Sequence, residues 1–99
     1  VIPKTFQLGG RTWRVKRGVK SKRWYGLTQS HNCVIKLSTL NKTPEAELHT
    51  FYHELVHAVG FTMGWNLLIN DETKVDAMGG LFAQAMKTAT GVSAKRTKN

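Results

Sequence analysis

A chain of 99 residues makes one domain with a modest single core, and 40% apolar content without any run near the length of a membrane span reads as soluble and globular. The formal charge of +9 is high for so short a chain and favours polyanionic partners non-specifically. A single cysteine, Cys33, excludes an internal disulfide framework and fits a reducing cytoplasm, and Val1-Ile-Pro-Lys4 lacks the charged leader and apolar block of a secretory signal.

The first half of the chain reads as strands. Thr5 to Leu8 and Arg11 to Arg17 are joined by Gly9-Gly10, a dipeptide suited to the positive φ angles of a two-residue hairpin turn. Val19 to Arg23 is a predicted basic loop. Trp24 to Thr28 and Cys33 to Leu37 form two more predicted strands around a Gln-Ser-His-Asn turn, with Cys33 a small half-buried residue and His31 a turn residue. Seven of the fifteen Lys and Arg residues fall in one segment: Arg11, Arg14, Lys16, Arg17, Lys20, Lys22 and Arg23. With Trp13, Trp24 and Tyr25 interleaved they are candidate nucleic-acid contacts, although alternation also makes Arg14 and Lys16 the solvated face of a half-buried strand.

The second half reads as helices. Thr43-Pro-Glu supplies a capping hydroxyl, a proline suited to the first turn and an acid at the positive end of a helix dipole. That helix is predicted to end near Gly60 or Gly64, with Phe61 to Ile69 as a connector. Asn70-Asp71 caps a second helix from about Glu72 to Ala89, with Val75, Met78, Phe82, Ala85, Met86 and Ala89 as its core stripe. Residues from Gly91 are polar and basic and read as a disordered tail, leaving 1–90 as the single domain.

Chemistry concentrates on the first helix, where His53, Glu54 and His57 form an HExxH pattern. Four histidines and four glutamates in 99 residues make a chance occurrence only a ~0.6% event. Histidines four apart lie one turn above each other on one face, so both imidazoles converge on a single metal ion, for which zinc is the expected choice. Glu54 borders that face, placed to take a proton from a metal-activated water. Leu48, Phe51, Tyr52, Leu55 and Val59 form a separate apolar stripe, predicted to face the core.

An open zinc site needs a third protein donor, and no histidine follows His57. A ladder of His49, His53 and His57 spans about 12 Å of helix axis, too long for one ion. Glu72 is the preferred candidate, with Asp71 and Asp76 next. Asp76, one turn beyond Glu72, is placed to accept the second N–H of a ligand histidine and fix its tautomer. Gly79, Gly80 and Ala83 continue that face with little bulk, so the second helix is expected to approach the first closely. Tyr25 and His31 are within conceivable reach of the cleft, and the oxyanion donor stays unassigned.

His53-Glu-Leu-Val-His57 followed by Glu72-Thr-Lys-Val-Asp76 resembles the HExxH plus Glu-x-x-x-Asp arrangement of the gluzincin metallopeptidases. In size and layout the chain is more similar to the compact ImmA/IrrE-type metallopeptidases of bacteria and phages, over roughly residues 5–89. SprT-like proteases share the small scale but use a histidine as third ligand, which this chain lacks. The resemblance implies an α+β, zincin-like domain: a short antiparallel sheet packed on an HExxH helix, then a Glu-bearing helix. It implies a zinc-dependent endopeptidase with one ion held by His53, His57 and Glu72, and Glu54 as general base. The strand nearest the metal is an open edge in such folds, so Val34, Ile35 and Lys36 are expected to line the cleft and pair with an extended peptide. A rival reading is a non-catalytic zinc-containing interaction or nucleic-acid-binding protein built on the basic strands. A structural zinc is more often closed by four Cys or His ligands, which this sequence does not supply.

Overall fold

A computed structural model describes residues 2–89, and over that span the chain forms four strands and then three helices. Strands β1 (Thr5–Leu8) and β2 (Arg11–Val19) pair as the expected hairpin, with Leu8 opposite Arg11 and positive φ at both Gly9 and Gly10. β2 continues two residues past its predicted end. A register shift between Lys16 and Val19, with Gly18 at φ +69°, bulges the strand and lets Val19 rejoin the ladder opposite Ser38. Val19 therefore belongs to the sheet and not to the basic loop.

Strands β3 (Gly26–Gln29) and β4 (Val34–Ser38) form the second, antiparallel hairpin. The sheet order is β1-β2-β4-β3, and β4 runs parallel to β2. The expected all-antiparallel sheet is thus a mixed one. Val34, Ile35 and Leu37 are all essentially inaccessible, and so apolar a strand is best sheltered in the interior of a sheet. β3, with Gly26, Thr28 and Gln29, takes the edge. Cys33 enters β4 with φ +56° and its thiol buried.

Helix α1 (Pro44–Met63) lies between the sheet and the other helices. The Thr43 hydroxyl accepts the Ala46 N–H at 3.1 Å, Pro44 occupies the first turn, and Gly64 ends the helix in the left-handed region at φ +68°. Against the sheet, Phe51 and Ala58 pack with Trp13, Cys33, Ile35 and Leu37. Phe6 links the layers, stacked on Trp13 and edge-on to Phe51. On the other side Val56 packs with Leu68 and Val75. Burial of a side chain as complete as that of Val75 contributes about 1.5–3 kcal/mol.

The expected connector contains a short helix, α2 (Asn66–Asn70), and the last helix, α3 (Glu72–Thr88), follows after Asp71. Gly60 lies inside α1, where a Cβ would come within 2.6 Å of Leu68 Cβ, so the missing side chain is what lets α2 fold back. α3 meets α1 through Val75, Gly79 and Ala83, whereas Phe82 and Met86 are about half exposed. The predicted core stripe is therefore displaced toward the small residues. A Cβ on Gly79 would sit 2.7 Å from the Cα and N of His53, and that close approach leaves the larger side chains on the flank. The predicted tail from Gly91 lies outside the described residues.

Candidate metal centre

α1 presents His53 and His57 one turn apart, with ring centroids 5.1 Å from each other. α3 begins with Glu72 opposite them, its first turn capped by the Asp71 carboxylate, which accepts the Lys74 N–H at 3.1 Å. Glu72 spans both rings: Oε1 is 3.0 Å from His53 Nε2 and Oε2 is 3.1 Å from His57 Nε2. Among the described residues these three form a group whose donor atoms all lie within 4.8 Å of one another.

The other nitrogen of each ring faces an oxygen as well. His57 Nδ1 is 2.9 Å from the Leu68 carbonyl, and His53 Nδ1 is 3.2 Å from Asp76 Oδ1. Both of those oxygens are acceptors, so they favour the tautomer in which Nδ1 carries the proton and donates it. In a neutral ring Nε2 is then a lone pair, and it faces a carboxylate oxygen. Acceptor against acceptor is repulsive, and either a proton on the ring or a cation between the groups relieves it. Two imidazoles and one carboxylate are a donor set used by catalytic zinc, and donors around a tetrahedral zinc stand roughly 3.3 Å apart. The two Glu72–histidine separations are close to that value, and the three donors, all within 4.8 Å of one another, would have to draw together around such an ion.

Glu54 is buried beside this cluster, with 7% of its surface exposed. Its Oε1 accepts the Thr28 hydroxyl of β3 at 2.6 Å. Burial pushes its carboxyl above the usual carboxylate range; the Thr28 hydrogen bond and the two imidazoles oppose that rise, and Glu72 adds to it. Gly26 closes over the same side chain, since a Cβ there would lie 2.8 Å from Glu54 Cγ. A cleft of about 490 Å³ opens over these groups, bounded by β3, by α1, and by Ile69, Glu72 and Asp76.

The structure thus brings His53, Glu54, His57, Glu72 and Asp76 to one place. It does not bring Val34, Ile35 and Lys36 there. β4 is paired on both sides, its backbone groups are engaged in the sheet, and none of the three lines the cleft. The open edge beside the site is β3, whose Gly26, Leu27 and Thr28 do line it. Tyr25 also reaches the cleft, whereas His31 is exposed in its turn and Tyr52 packs between Phe51 and Phe82. Of the basic segment, Arg17 turns toward α1 and forms a bidentate pair with Glu47. Arg11, Arg14, Lys16, Lys20, Lys22 and Arg23 are all exposed.

Three participants had no legible signal in the sequence. Thr28 is an ordinary strand threonine until β3 is placed over α1. The Leu68 carbonyl is a backbone group, available because the last carbonyls of a short helix lack intrahelical partners. His49 passes for a surface histidine, yet its Nε2 is 3.3 Å from the same Asp76 oxygen that His53 uses. Among the described residues no helix is long and apolar enough to cross a membrane. Protein-family models, curated proteins and solved structures yield no match to this chain.

Proposed function

We propose that the chain is a zinc-dependent endopeptidase of the gluzincin type, with a protein or peptide as substrate and the cytoplasm as its compartment. The observation that carries this reading is the paired approach of Glu72 to both imidazole Nε2 atoms, with a buried carboxylate beside them. His53, His57 and Glu72 would hold the ion. When bound, zinc supplies Lewis acidity and lowers the pKa of a coordinated water toward about 7.

The chain's own groups supply the rest. Glu54 takes the proton of the attacking water and delivers it to the leaving amine. Thr28 holds one carboxylate oxygen of Glu54, leaving the other free to turn toward the cleft. Asp76 and the Leu68 carbonyl orient the two histidines so that both present Nε2. An extended peptide in the cleft has the unpaired outer edge of β3 beside it, where main-chain pairing would align the scissile bond.

Metal analysis of protein purified without added zinc tests the reading together with turnover of an unfolded protein substrate. About one equivalent of zinc is expected, with hydrolysis abolished by a chelator and restored by the metal. Metal content below a few tenths of an equivalent, with no uptake on titration, would overturn it.

A further inference from the structure

The first 43 residues hold ten of the fifteen Lys and Arg residues and none of the six Asp and Glu residues. The sheet is built wholly from that acid-free half. Every acid lies in the helical half and is already engaged: Glu47 with Arg17, Glu45 with Lys87, Asp71 at a helix cap, and Glu54, Glu72 and Asp76 at the cleft. The sheet therefore has no internal counter-charge.

Alternation decides where its cations point. Trp13, Ile35 and Leu37 pack toward α1, and Thr28 reaches Glu54 on the same side. Arg14, Lys16 and Lys36 consequently occupy the opposite face. Lys16 is directly opposite Lys36 in the parallel ladder, and Arg14 is two residues away on β2. Two cations on neighbouring strands, about 4.8 Å apart at the backbone, repel each other unless an anion lies over them. The outer positions of the flanking strands, Thr5, Gln7, Leu27 and Gln29, are uncharged, so nothing on this face neutralises the row. Lys20, Lys22 and Arg23, just beyond the end of β2, are exposed as well. A merely solvated face usually mixes both signs, and this one carries a single sign.

We propose that this outer sheet face, centred on Arg14, Lys16 and Lys36, binds the phosphate backbone of nucleic acid without reading its sequence. It lies on the far side of the sheet from the cleft, so the proposal is independent of the peptidase reading. Its strand positions carry no aromatic residue, and Val34 and Ser38 on either side of the half-buried Lys36 are covered, so what the face offers is the charge of Arg14, Lys16 and Lys36, which suits phosphate contacts better than base stacking.

The test is fluorescence anisotropy of the full chain with a labelled random-sequence DNA duplex, titrated between about 50 and 200 mM salt. Each phosphate contact contributes roughly 0.9 to the slope of log K against log salt, so the three central residues predict a slope of about −2.7 or steeper. Lys16→Gln/Lys36→Gln should reduce the slope by about 1.8. Lys74→Gln/Lys87→Gln, on α3, removes the same net charge from the opposite side and should leave the slope nearly unchanged. Thermal melting establishes that both variants fold; Lys16, Lys74 and Lys87 are exposed and Lys36 is half-buried. A flat salt response, or equal losses in the two double variants, overturns the proposal, because binding would then be absent or would follow net charge alone.

Discussion

Adjacent glycines on α3 should respond to the same substitution with opposite signs. At Gly79 a new Cβ would lie 2.7 Å from His53 Cα and N, whereas at Gly80 its nearest neighbour would be the His49 ring at 3.2 Å. The His53 backbone is fixed inside α1, so relieving the first contact to an ordinary separation requires the helices to part by roughly 0.7 Å. Overpacking of that kind costs about 1–3 kcal/mol, while replacing a helical Gly with Ala returns about 1 kcal/mol. Gly79→Ala should therefore be destabilising by about 1 kcal/mol. The His49 side chain is nearly half exposed and swings aside at the cost only of its exposed contact with Asp76, so Gly80→Ala should be stabilising by up to about 1 kcal/mol. Urea denaturation of chelator-treated protein reads the difference, about 2 kcal/mol between neighbouring positions at unchanged m-value. Glu72 lies two turns from Gly79 on the same helix face, so parting the helices should also weaken zinc binding in Gly79→Ala but not in Gly80→Ala. If both variants gain stability equally, α3 does not pack against His53 as described here.

Glu54→Gln should keep zinc and fold while losing about 10²–10⁴-fold in kcat, whereas Glu72→Ala should lose zinc affinity and Tm together; metal content and melting curves for the pair separate the roles, and reversal of the pattern would reassign the third ligand to Asp71 or Asp76. Thr28→Val removes the hydrogen bond to Glu54 but keeps the shape, so kcat should drop by about tenfold with KM and zinc content unchanged; loss of zinc instead would show that Thr28 acts on the metal site as a whole. In metal-free protein, burial raises the Glu54 carboxyl, so between its ordinary and raised values the native state keeps a proton that the unfolded chain has released. Stability should therefore fall as pH rises through that window, and Glu54→Gln should flatten the slope and be no less stable than the parent at neutral pH. Parallel pH–stability curves for the two proteins, measured by chemical denaturation, would contradict this.

Local pattern was enough for the caps, the Gly9-Gly10 hairpin and the coincidence of His53, Glu54 and His57 on one helix, because each depends on residues within a few positions of one another. It was enough, too, for a small α+β domain and for the small face of α3 that lets this helix approach the first. Strand order was not legible. Whether β4 pairs on one side or two depends on which strand most needs shelter, a comparison among segments distant in sequence, and for that reason the open edge passed from Val34–Lys36 to Gly26–Gln29. The rotation of α3 escaped for a related reason: hydrophobicity favoured Phe82 and Met86 as core, but the close approach at Gly79 leaves room only for small side chains. The Leu68 carbonyl and the Thr28 hydroxyl had no sequence signature at all. A backbone oxygen is present at every position and threonine suits any strand, so only the tertiary structure decided that these two groups would face His57 and Glu54.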